Sequence, residues 1–174
     1  MQLALTFLGH QQPNFIIRLL QIIAESSCTV RDCHSDIMEN LSAGHLMIDG
    51  DWHEIARLEN TLKQLEAEPG LQISLSRAES WKPNQPHIPY TIEVYAADRT
   101  GILQELTQFL QIQNILITQI KTCRNRASKV MAELFFVNLS IAIPTHTHII
   151  SLREEFLDFC DNANIDAILE PVKF

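Results

Sequence analysis

The sequence predicts an α+β protein made of two copies of one β-α-β-β-α-β unit. Each copy is a four-stranded antiparallel sheet with two helices on one face. Three observations carry this. Apolar residues alternate in short runs and recur at helical spacing in longer ones, in that order, twice. A shift of 87 residues, from Leu3 to Tyr90, lays the first half on the second without a gap. It carries Leu5 to Ile92, Phe7 to Val94, Phe15 to Ile102, Leu19 to Leu106 and Val30 to Ile117. Between the halves stands Trp81-Lys82-Pro83-Asn84-Gln85-Pro86-His87-Ile88-Pro89, and three prolines in nine residues fit neither a sheet nor a helix interior. The organisation expected is a first domain at 1–79, a proline-rich linker at 80–89 and a second domain at 90–174.

Residues 3 to 8 form the first strand. Gly9 to Asn14 is a turn, and Pro13 suits a first helical position, where its missing N–H is not needed. Phe15, Ile16, Leu19, Leu20, Ile22 and Ile23 make the apolar face of a helix that Ser26 and Ser27 end. Cys28 to Ser35 reads as a second strand and Leu41 to Ile48 as a third. Asp49-Gly50-Asp51 turns the chain, and Asp51 with Glu54 has the spacing of a capping box. Trp52, Ile55, Leu58, Leu62 and Leu65 form the next stripe, which Pro69-Gly70 stops. Leu71, Ile73 and Leu75 give the fourth strand. The second half repeats the order: strand 90–95, helix 100–113, strand 115–122, strand 131–143, helix 148–163, strand 165–170. This is the split-βαβ order of ferredoxin-like domains. Such sheets have open edges, and pairing of sheets or helices, between the halves or in a homodimer, would bury more surface.

The 174 residues are 46% apolar and 20% charged, with a net charge of −8. That balance argues against a surface that tracks phosphates, and direct nucleic-acid binding is not expected. Lys121, Arg124, Arg126 and Lys129 concentrate positive charge on one hairpin, read as a solvated face. The element order is shared with RNA-recognition modules. Met131 to Val137 has aromatics but lacks their basic, glycine-containing motif, and Phe135 and Phe136 point to opposite faces. Core and interface packing accounts for them better. The apolar start, Met1 to Leu8, lacks a basic lead and is too short to span a membrane, so a cytosolic protein is expected.

Cys28, Cys33, Cys123 and Cys160 form no Cys-x-x-Cys pair. All four are expected as buried free thiols, and the shift of 87, which lays Cys28 on Ile115 and Cys33 on Ile120, puts two of them at core positions. Of the seven histidines, His146-Thr147-His148 is the tight cluster along the chain, at a helix start that Thr145 or Thr147 can cap. No acid or cysteine stands beside it at ligand spacing, so surface histidines are expected and no metal. Gly-x-Ser-x-Gly, phosphate-loop, His-Glu-x-x-His and dinucleotide signatures are all absent from the sequence. An enzyme is not expected, nor a cofactor.

Asp98-Arg99-Thr100-Gly101-Ile102 lies between a strand and a helix. Gly101 lets a ligand approach the backbone closely, and the free N–H groups of the helix start suit a carboxylate. Local chemistry alone fits a plain tight turn as well. In the first copy the same places hold Gln11, Gln12, Pro13 and Asn14. Pro13 pre-sets φ and Asn14 tolerates a left-handed backbone, but both charges and the glycine are gone.

A β-α-β-β-α-β repeat with Asp-Arg-x-Gly-Ile at the first strand-helix turn resembles the ACT domain, a small amino-acid-sensing module. Two such domains making up nearly the whole chain, with the Gly50-Asp51-Trp52 turn and the proline-rich linker, resemble the glycine cleavage system transcriptional repressor family. The resemblance implies a cytosolic bacterial regulator that does not bind DNA alone. It implies contact with a LysR-type activator of the glycine cleavage genes, relieved by glycine. A regulatory subunit that controls an amino-acid-metabolism enzyme is the alternative. A small amino acid, with glycine the candidate, is expected at Asp98, Arg99, Thr100, Gly101 and Ile102, where two domains or two chains meet. Its carboxylate is expected on N–H groups near Gly101 and Ile102, and its ammonium on backbone carbonyls or Asp98. Arg99 is open to the ligand, to Asp98 or to a partner chain. His10, Gln11 and Asn14 are the candidates at the first-copy turn. In the family the intact motif is expected in the first half; here it stands in the second.

Overall fold

The computed structural model describes residues 1–10, 14–78, 86–97, 99–126 and 133–172. The chain divides into two compact units, 1–82 and 83–174.

The first unit runs β1 (Gln2–His10), α1 (Phe15–Glu25), β2 (Thr29–Met38), β3 (Leu41–Asp49), α2 (Trp52–Glu66) and β4 (Leu71–Ala78). Its sheet has the order β2-β3-β1-β4, with every pairing antiparallel. Leu3, Leu5 and Phe7 of β1, Leu46 and Ile48 of β3, and Leu71 and Ile73 of β4 all point to one face. There they pack on Phe15, Leu19 and Ile23 of α1 and on Ile55, Leu58, Leu62 and Leu65 of α2. Both helices therefore cover the same side of the sheet. A fully buried leucine such as Leu58 contributes about 1.5–3 kcal/mol relative to exposure. The expected capping box opens α2: the Glu54 N–H donates to Asp51 Oδ1 at 2.8 Å, and the Asp51 N–H donates to Glu54 Oε2 at 2.7 Å. Arg77 of β4 then grips Glu59 of α2 through two N–H donors at 2.8 and 2.9 Å. Gly44 of β3 sits in a tight place, since a Cβ there would stand 2.4 Å from the His34 carbonyl oxygen and 2.7 Å from the Phe7 ring.

The second unit runs β5 (His87–Ala97), α3 (Ile102–Ile112), β6 (Leu116–Arg126), β7 (Glu133–Pro144), α4 (Ile149–Ala163) and β8 (Asp166–Pro171). Its sheet order is β6-β7-β5-β8, again antiparallel throughout. Ile92 and Val94 of β5 and Val137, Leu139 and Ile141 of β7 pack on Leu106 and Leu110 of α3 and on Phe156 of α4. Phe109 packs its ring against Phe156 and Phe159, with centroids 5.7 and 4.9 Å apart. The fold class is the one the sequence predicts. The backbone keeps the repeat in detail. The register slips at Arg31 in β2 and at Thr118 in β6. Left-handed backbone recurs at Asn14 and Gly101 (φ 65° and 93°) and at Ser27 and Asn114 (φ 64° and 54°). Each of these pairs is 87 residues apart.

Four expectations change. The strand β5 begins at His87, so 87–89 belong to the sheet and not to the linker. Pro89 is tolerated because its backbone faces β8: the Val172 N–H donates to the Pro89 carbonyl at 3.1 Å. Its missing N–H falls on that side, at the end of β8, and leaves the β7 ladder intact. Cys28 and Cys160 are buried as expected, but Cys123 is exposed on the edge strand β6 and so is Cys33 on β2. Its counterpart Ile120 is exposed too, because both lie on edge strands beyond the cover of the helices. The cap of α4 is His148 and neither threonine: its ring nitrogen Nδ1 accepts from the Ser151 N–H at 3.5 Å and lies 3.0 Å from Ser151 Oγ. The helix α3 starts at Ile102, two residues later than the apolar pattern suggests, because Gly101 is left-handed. Lys129, Met131 and Ala132 lie outside the described residues.

Candidate functional site

The strand β5 delivers the chain to the N-terminus of α3 through Arg99, Thr100 and Gly101. Asp98 lies outside the described residues. Gly101 has φ 93° and ψ −10°, a backbone that glycine adopts without strain. Among the described residues a Cβ there would meet only Glu105 Oε1, at 3.8 Å. The first helical bond runs from the Glu105 N–H to the Gly101 carbonyl at 2.9 Å. The N–H groups of Ile102, Leu103 and Gln104 therefore have no acceptor within the helix. Gly101, lacking a side chain, cannot cap them. The positive end of the helix dipole lies at these same groups.

Arg99, Thr100, Gly101 and Ile102 line a cleft of about 600 Å³. Arg124 of β6 and Phe135 of β7 form its opposite side. They are register partners, so the sheet itself fixes the arginine next to the phenylalanine. Arg99 holds Glu105 through two N–H donors at 2.7 and 2.5 Å, and reaches the Ala163 carbonyl at 3.4 Å. The Arg99 guanidinium holds the Glu105 carboxyl below the usual carboxylate range. Thus Arg99 is anchored by a residue one helical turn past Gly101. The cleft combines N–H donors that have no acceptor within the helix, a helix dipole and two guanidinium groups around an apolar floor. That combination attracts a carboxylate with a small aliphatic body.

Arg124 was not among the sequence candidates. Its basic neighbours suggested a solvated hairpin, and only the β6–β7 register reveals that it lines the cleft. The first-copy candidates do not gather in the same way. Asn14 starts α1 in left-handed backbone, with no side-chain cap. His10 lines a different cleft, of about 390 Å³, with Leu41 and Gly70. Its N–H donates to the Gly70 carbonyl at 3.2 Å, and its ring lies where a Cβ on Gly70 would be. Gln11 lies outside the described residues. Among the described residues the fold brings together His34 and His45, eleven residues apart on the consecutive strands β2 and β3.

Residues 1–76 match the family model described as the ACT domain. The first unit thus matches the ACT-domain model over nearly its whole length. The match falls on the copy without the Asp-Arg-x-Gly motif; the second unit repeats the ACT order, sheet and left-handed turn. Along its whole length the chain is similar to two proteins named glycine cleavage system transcriptional repressor, from Escherichia coli (strain K12) and Shigella flexneri. Each is 19% identical over 174 residues, covering 99% of this chain and 90% of the relative. A crystal structure of a candidate glycine cleavage system transcriptional repressor superposes with a TM-score of 0.71 at 23% identity, covering 99% of this chain and 98% of that one. An unknown protein from Galdieria sulphuraria superposes with a TM-score of 0.76 at 19% identity, with the same coverage. The paired ACT-type fold is therefore shared across the full chain. Among the described residues no helix is long and apolar enough to cross a membrane.

Proposed function

We propose that this chain is an amino-acid-responsive regulator of the glycine cleavage system, with the cleft at the start of α3 as its sensor. The observation that carries the reading is the uncapped N-terminus of α3, opened by left-handed Gly101 beside Arg99 and Arg124. The ligand carboxylate takes the N–H groups of Ile102 to Gln104 with help from Arg124. Its ammonium takes carbonyls of the turn or the Asp98 carboxylate. The full-length likeness to named repressors supports the pathway. In this reading the protein works in the cytoplasm by contact with a LysR-type activator and without turnover, and bound amino acid weakens that contact.

Calorimetric titration of the full chain with glycine and a panel of other amino acids tests the sensor. The cleft exceeds what glycine fills, so the panel must span side-chain sizes. Saturable binding that is lost in a folded Gly101→Val variant is expected. Absence of binding across the panel, or unchanged affinity in that variant, overturns the reading. A pulldown tests the output: recovery of a biosynthetic enzyme in place of a LysR-type activator would move the protein to a different regulatory role.

A further inference from the structure

We propose that the first unit carries a Zn²⁺-type cation site on the sheet face turned away from its helices, built by Asp32, His34 and His45. The register creates it. Up to Val30 the strand β2 alternates toward the core, opposite Ile48. Arg31 is then inserted without a partner, and Asp32 falls opposite Met47 and His34 opposite His45. Met47 and His45 lie on the face away from Leu46 and Ile48, which are core residues. The one-residue bulge thus turns Asp32 and His34 outward to meet His45. The second unit has the same slip at Thr118, yet its corresponding positions hold Gln119 and Lys121, with Lys121 opposite Asn138. The bulge belongs to the repeat; the ligand set belongs to the first copy alone.

The geometry is close to that of a bound ion. The His34 and His45 rings are 4.8 Å apart, with their planes at 34°. His34 Nε2 lies 3.3 Å from Asp32 Oδ1. One donor atom from each of the three residues lies within 4.8 Å of the others. Zinc bonds of roughly 2.0–2.2 Å to nitrogen and oxygen place tetrahedral donors about 3.3 Å apart. Asp32 and His45 are exposed and His34 is half-buried, so side-chain rotation alone closes the set. Two imidazoles and a carboxylate favour Zn²⁺ or a similar first-row ion over Mg²⁺ or Ca²⁺. Three protein ligands leave the fourth position to water, the arrangement of an open site.

The test is calorimetric titration of the chelator-stripped full chain with zinc chloride. It is run on the wild type and on a Cys33→Ser/Cys123→Ser variant, which removes the two exposed thiols. A single site is expected in both. His34→Ala and His45→Ala each abolish it, and Asp32→Asn weakens it about tenfold or more, with circular dichroism unchanged because none of the three belongs to the hydrophobic core. Three results overturn the proposal. The first is no zinc binding by the wild type. The second is binding that survives both histidine variants. The third is binding that disappears with the thiols. If a histidine variant misfolds, Asp32→Asn decides: unchanged affinity there also overturns it.

Discussion

At Gly101 one torsion angle decides what residue fits. Among the described residues nothing crowds it, so the obstacle to a side chain is the positive φ. That strain is on the order of 1–3 kcal/mol for most residues and least for asparagine. The first copy already uses Asn14 there at φ 65°. Gly101→Asn is therefore expected to keep its melting temperature near that of the wild type, and Gly101→Val to lower it, as read by thermal denaturation. A second residue sets how available Arg99 is. Glu105 occupies both of its outer nitrogens, and Glu105→Gln removes the competing carboxylate. Titration should then show tighter binding of the amino acid; weaker binding would mean that Arg99 must be held in place by Glu105. The thiols differ for a simple reason. Burial beside Asp161 and Asp166 pushes the Cys160 thiol up to about 11. Alkylation at pH 8 followed by mass spectrometry should label Cys33 and Cys123 in the native protein, and Cys160 only on unfolding. Because burial raises the folded pKa of Cys160, the neutral thiol contributes stability that is present below about pH 9 and lost as pH rises toward 11.

Among the elements, β3 has the least room. A methyl group at Gly44 would run into backbone of β2 and the ring of Phe7, and neither retreats without disturbing the sheet. Gly44→Ala should cost about 1–3 kcal/mol in urea denaturation. Nothing local to Gly44 announces this. Elements whose cause lies within a few residues were legible in the sequence: the stripes of α1 and α2 and the Asp51–Glu54 box. The left-handed turn into α3 was legible for the same reason. Features set by the exact register of neighbouring strands were not. Arg124 enters the cleft because it stands opposite Phe135, and His34 meets His45 only after a bulge has shifted the count by one. Cys33 misled because its place in the repeat is apolar in pattern but lies on an edge strand. The strand at 87–89 was hidden by Pro89, whose missing donor happens to face the end of β8.

Across the whole molecule the two hydrophobic clusters share no residue. Leu58→Ala, at a fully buried position, should cost about 2–5 kcal/mol. Hydrogen exchange should report the loss in β1 to β4 while β5 to β8 stay protected, and Leu139→Ala should give the reverse pattern. Comparable loss in both halves from either substitution would show that the units unfold as one. The paired left-handed positions have a bearing on ancestry as well. Asn14 answers to Gly101 and Ser27 to Asn114, and in neither pair is the residue the same. What the two halves share at these places is a sign of φ, while the letters differ. A genome survey that asks for Asp-Arg-x-Gly would pass over the first half of this chain. One that asks for residues able to bear positive φ at those two places, set between the right apolar stripes, would retrieve both halves and would count the repeats of more diverged descendants correctly.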